Sequence, residues 1–390
     1  MSERRVTIGM VAGEASGDLL GAHLIAALRV HLPGARFIGI GGPRMQSEGL
    51  DSLYPLERLA VRGYAEVLRH YAGLVWMRRR LLRALLRARP QLFIGVDAPD
   101  FNLGLEAGLK RDGVPVVHYV SPSIWAWRGG RIEAIARSVD HVLTLFPFEE
   151  AIYRRAGVSA TYVGHPLADL IPEQDQTAGA RTQLKIAPEL KVIALLPGSR
   201  QSELRYMADS FIATARLLAQ KIEQPLFLVP LVSRETREMF EAALYRVDAA
   251  ELPLTILFGH AQEALAAADV ALVASGTATL EAALLKKPMV ITYKMAGASW
   301  QLMRHMGYLP YVGLPNILAG EFVVPELLQD DATPENLAQA LHNSLNDTVV
   351  RARIRQRFAG IHRELKRNTA EQAARAVLPL LAGRRMSQAV

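Results

Sequence analysis

The 390-residue chain contains no cysteine, which excludes a disulfide scaffold, a thiolate nucleophile and a Cys-ligated metal centre. It also lacks any run of about 18 consecutive apolar residues, the length a membrane-spanning helix needs. The first twelve residues pass from charged side chains directly into a short strand-like run. They show neither the apolar segment nor the small-residue cleavage site of a secretory signal, so a cytoplasmic protein is expected. Acidic residues are scarce in one stretch: between Arg62 and Arg89 there are eight arginines and a single acid, Glu66. That stretch alone carries the whole formal net charge of +7. The basic character therefore belongs to one surface and not to the molecule at large.

What remains is ordinary globular material. Half the residues are apolar and 21% are charged, and the length accommodates two domains with cores of their own.

The segment Ala274-Ser275-Gly276-Thr277-Ala278-Thr279-Leu280-Glu281 stands out. An apolar strand from Asp269 to Ala274 enters a turn of small hydroxylated residues, and a helix leaves it. The N–H groups at that helix start, with the hydroxyls of Ser275, Thr277 and Thr279, suit a diphosphate. Glu281 follows about one helical turn later, where a carboxylate accepts both hydroxyls of a ribose. The alternative is a plain helix cap. A capping box, however, places Glu three residues after Ser or Thr, and the residue three before Glu281 is Ala278.

Val6 to Ala12 reads as a buried strand ending in Gly13-Glu14-Ala15-Ser16-Gly17-Asp18, with a helix from Leu19 to Val30. Strand, glycine-rich loop and helix begin a Rossmann-type domain, but the spacing is not Gly-x-Gly-x-x-Gly. Glu14 and Asp18 would repel a pyrophosphate there. The loop is assigned to an acceptor side, Glu14 facing sugar hydroxyls; the alternative is that both acids complement the helix dipole. A second strand, Arg36 to Ile40, ends in Gly41-Gly42-Pro43.

The basic segment follows. Val67, Tyr71, Leu74, Leu81, Leu82 and Leu85 share one helical arc, opposite Arg69, Arg80, Arg83 and Arg87. Arg78 and Arg89 fall in the apolar arc, which predicts a break at Gly73. Leu81 to Leu86 reads as a stripe packed on a sheet. Tyr71, Leu74, Val75, Trp76 and Met77 among Arg78, Arg79 and Arg80 suit the interface of an anionic membrane; an ordinary surface helix is the alternative. Nucleic acid is disfavoured, because no binding module is present and the segment is too apolar to track phosphates.

Gln91 to Val96 is a strand entering Asp97-Ala98-Pro99-Asp100-Phe101-Asn102. Ligands of open α/β sheets lie beyond the carboxyl ends of strands. Asp97, the first polar residue there, is placed for general-base work on a hydroxyl or, alternatively, for capping its loop. Val114 to Val120 leads into an aromatic loop with Trp125 and Trp127, which face a sugar or acyl chain or else pack inside. Asp140 to Leu145 precedes Phe146-Pro147-Phe148-Glu149. His165, before a proline, reads as structural, and the polar stretch Glu173 to Thr182 predicts a hinge near 165–180.

The second half restarts the pattern. Lys191 to Leu196 is followed by Pro197-Gly198-Ser199-Arg200, a turn whose guanidinium has the charge a pyrophosphate requires. The acidic first loop and the basic second one assign the nucleotide to the second half. Strands follow at Leu226 to Val232, Leu254 to Phe258 and Met289 to Tyr293, and Leu314-Pro315-Asn316-Ile317-Leu318 forms a site loop. Thr333-Pro334-Glu335 starts a helix. The expected domains are 1–168, 180–345 and a block of terminal helices, 346–390, packed on the first domain or on a partner subunit, as in a homodimer.

Seven motifs together resemble the lipid-A-disaccharide synthase family of GT-B glycosyltransferases. They are residues 11–18, 39–43, 96–102, 119–127, 196–200, 275–281 and 314–316. The resemblance implies an α/β GT-B fold, two Rossmann-like domains facing each other across a cleft, with terminal helices. It implies transfer of 2,3-diacylglucosamine from its UDP derivative to the 6-hydroxyl of 2,3-diacylglucosamine 1-phosphate, giving UDP and a β-1,6 disaccharide. An α-linked donor and a β product mean inversion by one displacement with one base, Asp97 or, in reserve, Glu14. The resemblance assigns UDP to Gly198, Ser199, Arg200, Ser275, Gly276, Thr277, Thr279 and Glu281, and Asn316 to the nucleotide or donor sugar. No Asp-x-Asp motif occurs, in keeping with a reaction that needs neither metal nor other cofactor. Two lipid substrates strengthen the membrane reading of the basic segment and imply peripheral attachment to the inner membrane. The rival readings are a UDP-sugar 2-epimerase and a non-catalytic UDP-sugar-binding peripheral membrane protein.

Overall fold

A computed structural model describes residues 6–59, 64–125, 130–297, 300 and 310–387. The chain forms two compact units. The first runs to Asp169 and resumes at Leu365; the second is Leu170–Glu364.

The first unit is built on a seven-stranded parallel sheet: β1 (Thr7–Ala12), β2 (Arg36–Ile40), β3 (Leu50–Ser52), β4 (Leu92–Val96), β5 (Val116–Tyr119), β6 (His141–Thr144) and β7 (Ala160–Tyr162). Their spatial order is β3-β2-β1-β4-β5-β6-β7. Parallel strands covered on both faces need apolar residues at every position, and all of Leu92–Val96 is buried. Successive residues serve opposite faces. Ile8, Met10, Leu92 and Ile94 pack with Leu24 and Leu28 of the helix Ala15–His31. Val11 and Phe93 pack with Leu81, Leu85, Leu105 and Leu109.

The basic segment is one continuous helix, Tyr64–Ala88, so the break expected at Gly73 does not occur. The two arginines that suggested it are accommodated otherwise. The Arg78 guanidinium lies against Gly104, where an added Cβ would fall 2.5 Å from its Nη1. Arg89 is past the helix end with φ 49°. Leu81 and Leu85 are fully buried against the sheet, as their arc predicts.

The second unit holds a six-stranded parallel sheet: β8 (Lys191–Leu196), β9 (Pro225–Leu231), β10 (Leu254–Phe258), β11 (Val270–Ala274), β12 (Met289–Tyr293) and β13 (Glu326–Leu328). Its order is β10-β9-β8-β11-β12-β13. Ile193, Leu195, Val229 and Leu272 form its core with Phe211, Phe240 and Leu341 of the covering helices.

The terminal residues do not behave as one block. The helix Thr348–Leu365 ends at the passage into the first unit, and the helix Thr369–Ser387 belongs to the first unit. There Ala373, Ala374 and Val377 join the core beside Leu24 and Leu28. The Asp169 carboxylate accepts the N–H groups of Asn368 and Thr369 at 2.9 and 2.7 Å, capping that helix.

Candidate active site

Each sheet has one topological switch point, where consecutive strands depart to opposite sides. In the first it lies between β1 and β4, in the second between β8 and β11. The crevice beyond the strand ends at such a point is where open α/β sheets take ligands. Ala12 and Val96 are register partners on β1 and β4, and Leu196 and Val273 on β8 and β11. Each pair is followed by two of the loops singled out in the sequence: Gly13–Asp18 with Asp97–Asn102, and Pro197–Arg200 with Ser275–Thr279.

In the first unit the two acids of the glycine-rich loop have different fates. Glu14 is exposed at the N-cap of the helix Ala15–His31 and its side chain makes no capping bond. Asp18 is 3% exposed. Its carboxylate accepts the N–H groups of Gly42, Arg44 and Met45 at 2.7, 3.1 and 3.0 Å. It therefore anchors the start of the short helix Pro43–Ser47, a task different from complementing the dipole of its own helix.

Asp97 is half-buried at the carboxyl end of β4. It and Ala98 have φ of 55° and 46°, a left-handed conformation that costs about 1–2 kcal/mol at each non-glycine residue. Such strain persists where the surroundings over-determine it. The Asp97 N–H donates to Tyr119 O at 2.8 Å. Behind it lies a fully buried pair that the sequence reading missed: His118 Nδ1 donates to Glu106 Oε1 at 2.7 Å. Burial works against a charge on His118, but the Glu106 carboxylate outweighs it and Asp97 adds to it, so the His118 pKa is raised. Room for Glu106 comes from Gly95, where a Cβ would lie 2.0 Å from Glu106 Oε1.

Trp125 is half-buried and donates its indole N–H to Glu149 at 3.0 Å. It meets Phe148 edge-on at 5.3 Å, and Phe146 stacks on His165 at 5.5 Å. Glu149 also accepts the N–H groups of Leu145 and Phe146. Burial pushes its carboxyl up to about 7 against these bonds. Trp127 lies outside the described residues.

In the second unit Gly198 has φ 123°, and a Cβ there would meet Glu203 at 2.6 Å. The Glu203 carboxylate accepts the N–H groups of Ser199 and Arg200 at 2.9 and 3.2 Å, so these backbone donors are occupied. The Arg200 side chain is 80% exposed and only loosely opposite Glu203, at 3.9 Å. Gly276, with φ 139°, opens the helix Thr277–Leu284. Gly276 and Thr277 are exposed and Ser275 half-buried, while Thr279 is fully buried and donates its hydroxyl to Gly276 O at 2.7 Å. Thr279 thus braces the turn from within. Burial lifts the Glu281 carboxyl above the usual carboxylate range. Tyr293, at the end of β12, was not foreseen. Burial raises its hydroxyl pKa, with Glu203 adding to that and Arg200 opposing it, so it belongs to the same cluster.

Asn316 is fully buried. Its Nδ2 donates to Val324 O and Glu326, and its Oδ1 accepts from Val323 and Val324. These four bonds fill the amide's capacity. Residues 314–319 form a short helix and not the site loop expected; Asn316 ties that helix to residues 323–326, and its side chain has no polar atom left for a nucleotide or sugar.

Of the residues read as membrane-facing, the Tyr71 side chain lies outside the described residues. Trp76 is 55% exposed, with the Arg80 guanidinium 4.5 Å above its ring. Arg79 is exposed, and Leu74 and Val75 are half-buried. Arg78 is half-buried, with its guanidinium against Gly104. No described helix is long and apolar enough to cross a membrane.

Residues 8–377 match the family model described as lipid-A-disaccharide synthetase. The chain is 59% identical to the lipid-A-disaccharide synthase of Azoarcus sp. (strain BH72), over 98% of each chain. Among solved structures it resembles CalG4, the calicheamicin glycosyltransferase, with TM-score 0.59, 16% identity and coverage of 97% and 99% of the two chains. It also resembles the UDP-GlcNAc 2-epimerase of Neisseria meningitidis bound to UDP-GlcNAc, with TM-score 0.65, 12% identity and coverage of 96% and 100%. At such identities the structural likenesses speak for the fold alone.

Proposed function

The chain belongs to the lipid-A-disaccharide synthase family, and from that premise we infer that its second unit holds the UDP of the donor while its first unit deprotonates the acceptor. The enzyme is a glycosyltransferase. It transfers 2,3-diacylglucosamine from UDP-2,3-diacylglucosamine to the 6-hydroxyl of 2,3-diacylglucosamine 1-phosphate, releasing UDP and the β-1,6 disaccharide 1-phosphate.

The carrying observation is that the four loops at the two switch points carry opposite chemistry. Those of the second unit offer the Arg200 guanidinium, the Ser275 and Thr277 hydroxyls and a helix N-terminus. Those of the first offer the carboxylates of Asp97 and Glu14. A departing diphosphate gains negative charge in the transition state and is stabilised by the former. Arg200 takes the part that a metal plays elsewhere. Glu281, one turn into the helix, accepts the ribose hydroxyls. Asp97 removes the proton of the acceptor hydroxyl as that oxygen attacks the anomeric carbon from the face opposite UDP, so the configuration inverts. Glu14 is the reserve base.

The exposed Trp76 with Leu74, Val75, Arg79 and Arg80 supports docking on an anionic bilayer. We place the enzyme at the cytoplasmic face of the inner membrane, where both lipid substrates are reached.

One assay tests the reaction. Purified protein is given UDP-2,3-diacylglucosamine with chelator, with and without the monosaccharide phosphate, and UDP is measured. UDP release that requires the acceptor is the expected result. Turnover without acceptor would point to epimerase or hydrolase chemistry, and no turnover to a binding protein.

A further inference from the structure

Asn102 is fully buried in the first turn of the helix Pro99–Arg111, five residues after Asp97. Its side-chain Nδ2 donates to the carbonyl oxygen of Asp97 at 2.8 Å and to that of Val11 at 3.2 Å. One amide thus ties the residue proposed as the base to β1, the strand on the other side of the switch point. We infer that Asn102 is a positioning residue for the transfer, locking the backbone turn that aims the Asp97 carboxylate; this rests on Asp97 being the base.

The turn needs such a lock. Asp97 and Ala98 are consecutive non-glycine residues in the left-handed region, at φ 55° and 46°, and neither would hold that conformation unaided. Three contacts impose it. The Asp97 N–H is held by Tyr119 O at 2.8 Å. The Asp97 C=O is held by Asn102 from the other side. Ala98 fits because Gly13 lacks a side chain: a Cβ there would lie 2.3 Å from that of Ala98.

Asn102 is itself fixed. Its N–H donates to Ala98 O at 2.9 Å in the first turn of the helix Pro99–Arg111. One turn on, Glu106 is clamped by His118. The residue type matters, since only a primary amide of this length offers two N–H donors to two carbonyl oxygens without a charge. An aspartate would offer none, and a serine only one.

The test compares Asn102→Ala with Asp97→Asn for kcat, acceptor KM, UDP affinity and thermal stability. Asn102→Ala is expected to lower kcat 10- to 100-fold, the scale of a small misplacement of a reacting group. Acceptor KM and UDP affinity should stay within about threefold, on the same grounds that the lost contact acts on positioning and not on binding. Asn102→Ser, with one donor left, should fall between, and it covers the case in which the alanine variant does not fold. Native kcat in both Asn102 variants, with Asp97→Asn inactive, would overturn this inference and leave the base standing. Loss of UDP affinity and stability in both Asn102 variants would also overturn it, by showing a role in folding alone. Near-native turnover of Asp97→Asn would remove the base, and this inference with it.

Discussion

The carboxylate of Glu203 accepts the backbone N–H of Ser199 at 2.9 Å, so the turn after β8 presents a side chain and not its amides to the solvent. The guanidinium of Arg200 is then the principal charge available to a diphosphate from that loop. A charge-assisted hydrogen bond of this kind contributes about 1.5–3 kcal/mol. Arg200→Ala should therefore raise the UDP dissociation constant by about ten- to a hundredfold in calorimetry. Arg200→Lys should recover only part of it, because the planar fork is lost. An unchanged constant in the alanine variant would take the diphosphate away from this loop.

Asp18 makes a prediction about stability. Its buried carboxylate satisfies three backbone donors, and Asp18→Ala leaves them without acceptors at a cost of about 2–4 kcal/mol. Asp18→Asn keeps one acceptor oxygen and should cost less. Urea denaturation of the two variants checks this. A loss below about 0.5 kcal/mol for alanine, the range of ordinary surface substitutions, would contradict the anchoring role.

The buried Glu149 gives the first unit a pH dependence. Burial raises its carboxyl from the ordinary 4.5 to about 7. A raised carboxyl binds its proton more tightly in the folded state, so its stabilising contribution is full below 4.5 and is lost as pH rises toward 7. The Trp125 indole N–H faces that carboxyl at 3.0 Å and reports its charge. A tryptophan-fluorescence transition near pH 7 is expected, and Trp125→Phe should abolish it. A transition that survives in Trp125→Phe belongs to another group.

The exposed face of the basic helix gives a separable membrane prediction. Leu74→Ser with Trp76→Ser should weaken sedimentation with anionic vesicles by an order of magnitude while leaving UDP affinity unchanged. Arg79→Ala with Arg80→Ala should weaken it chiefly at low salt, since surface charge is screened within about 10 Å at 0.1 M. Vesicle binding indifferent to both pairs would move the contact to another surface.

The long strands and the loops at their carboxyl ends were legible in the sequence because a parallel strand buried on both faces is an unbroken apolar run. Val192–Leu196 and Val270–Ala274 are such runs, and each ends at a small-residue turn. The three-residue strands Leu50–Ser52, Ala160–Tyr162 and Glu326–Leu328 leave no such trace, being short and partly polar. The helix runs through Gly73 with Arg78 lying over Gly104 of the helix Pro99–Arg111, a contact between positions 26 residues apart that no local pattern displays. The same limit applies to the polar residues. Asp18 acts on backbone 24 to 27 positions away, and Asn102 reaches Val11 across 91. Asn316 looks like a ligand contact until its four local bonds are seen. Glu203 and Glu149 carried a local signal, the spacing of a carboxylate three residues into a helix.

The rate of UDP release by Asp97→Asn at saturating donor and acceptor decides which unit removes the acceptor's proton. A fall of about a thousandfold, within the range for loss of a general base, is predicted, with UDP bound as in the native enzyme. A rate close to native would contradict the assignment of proton removal to the first unit's Asp97.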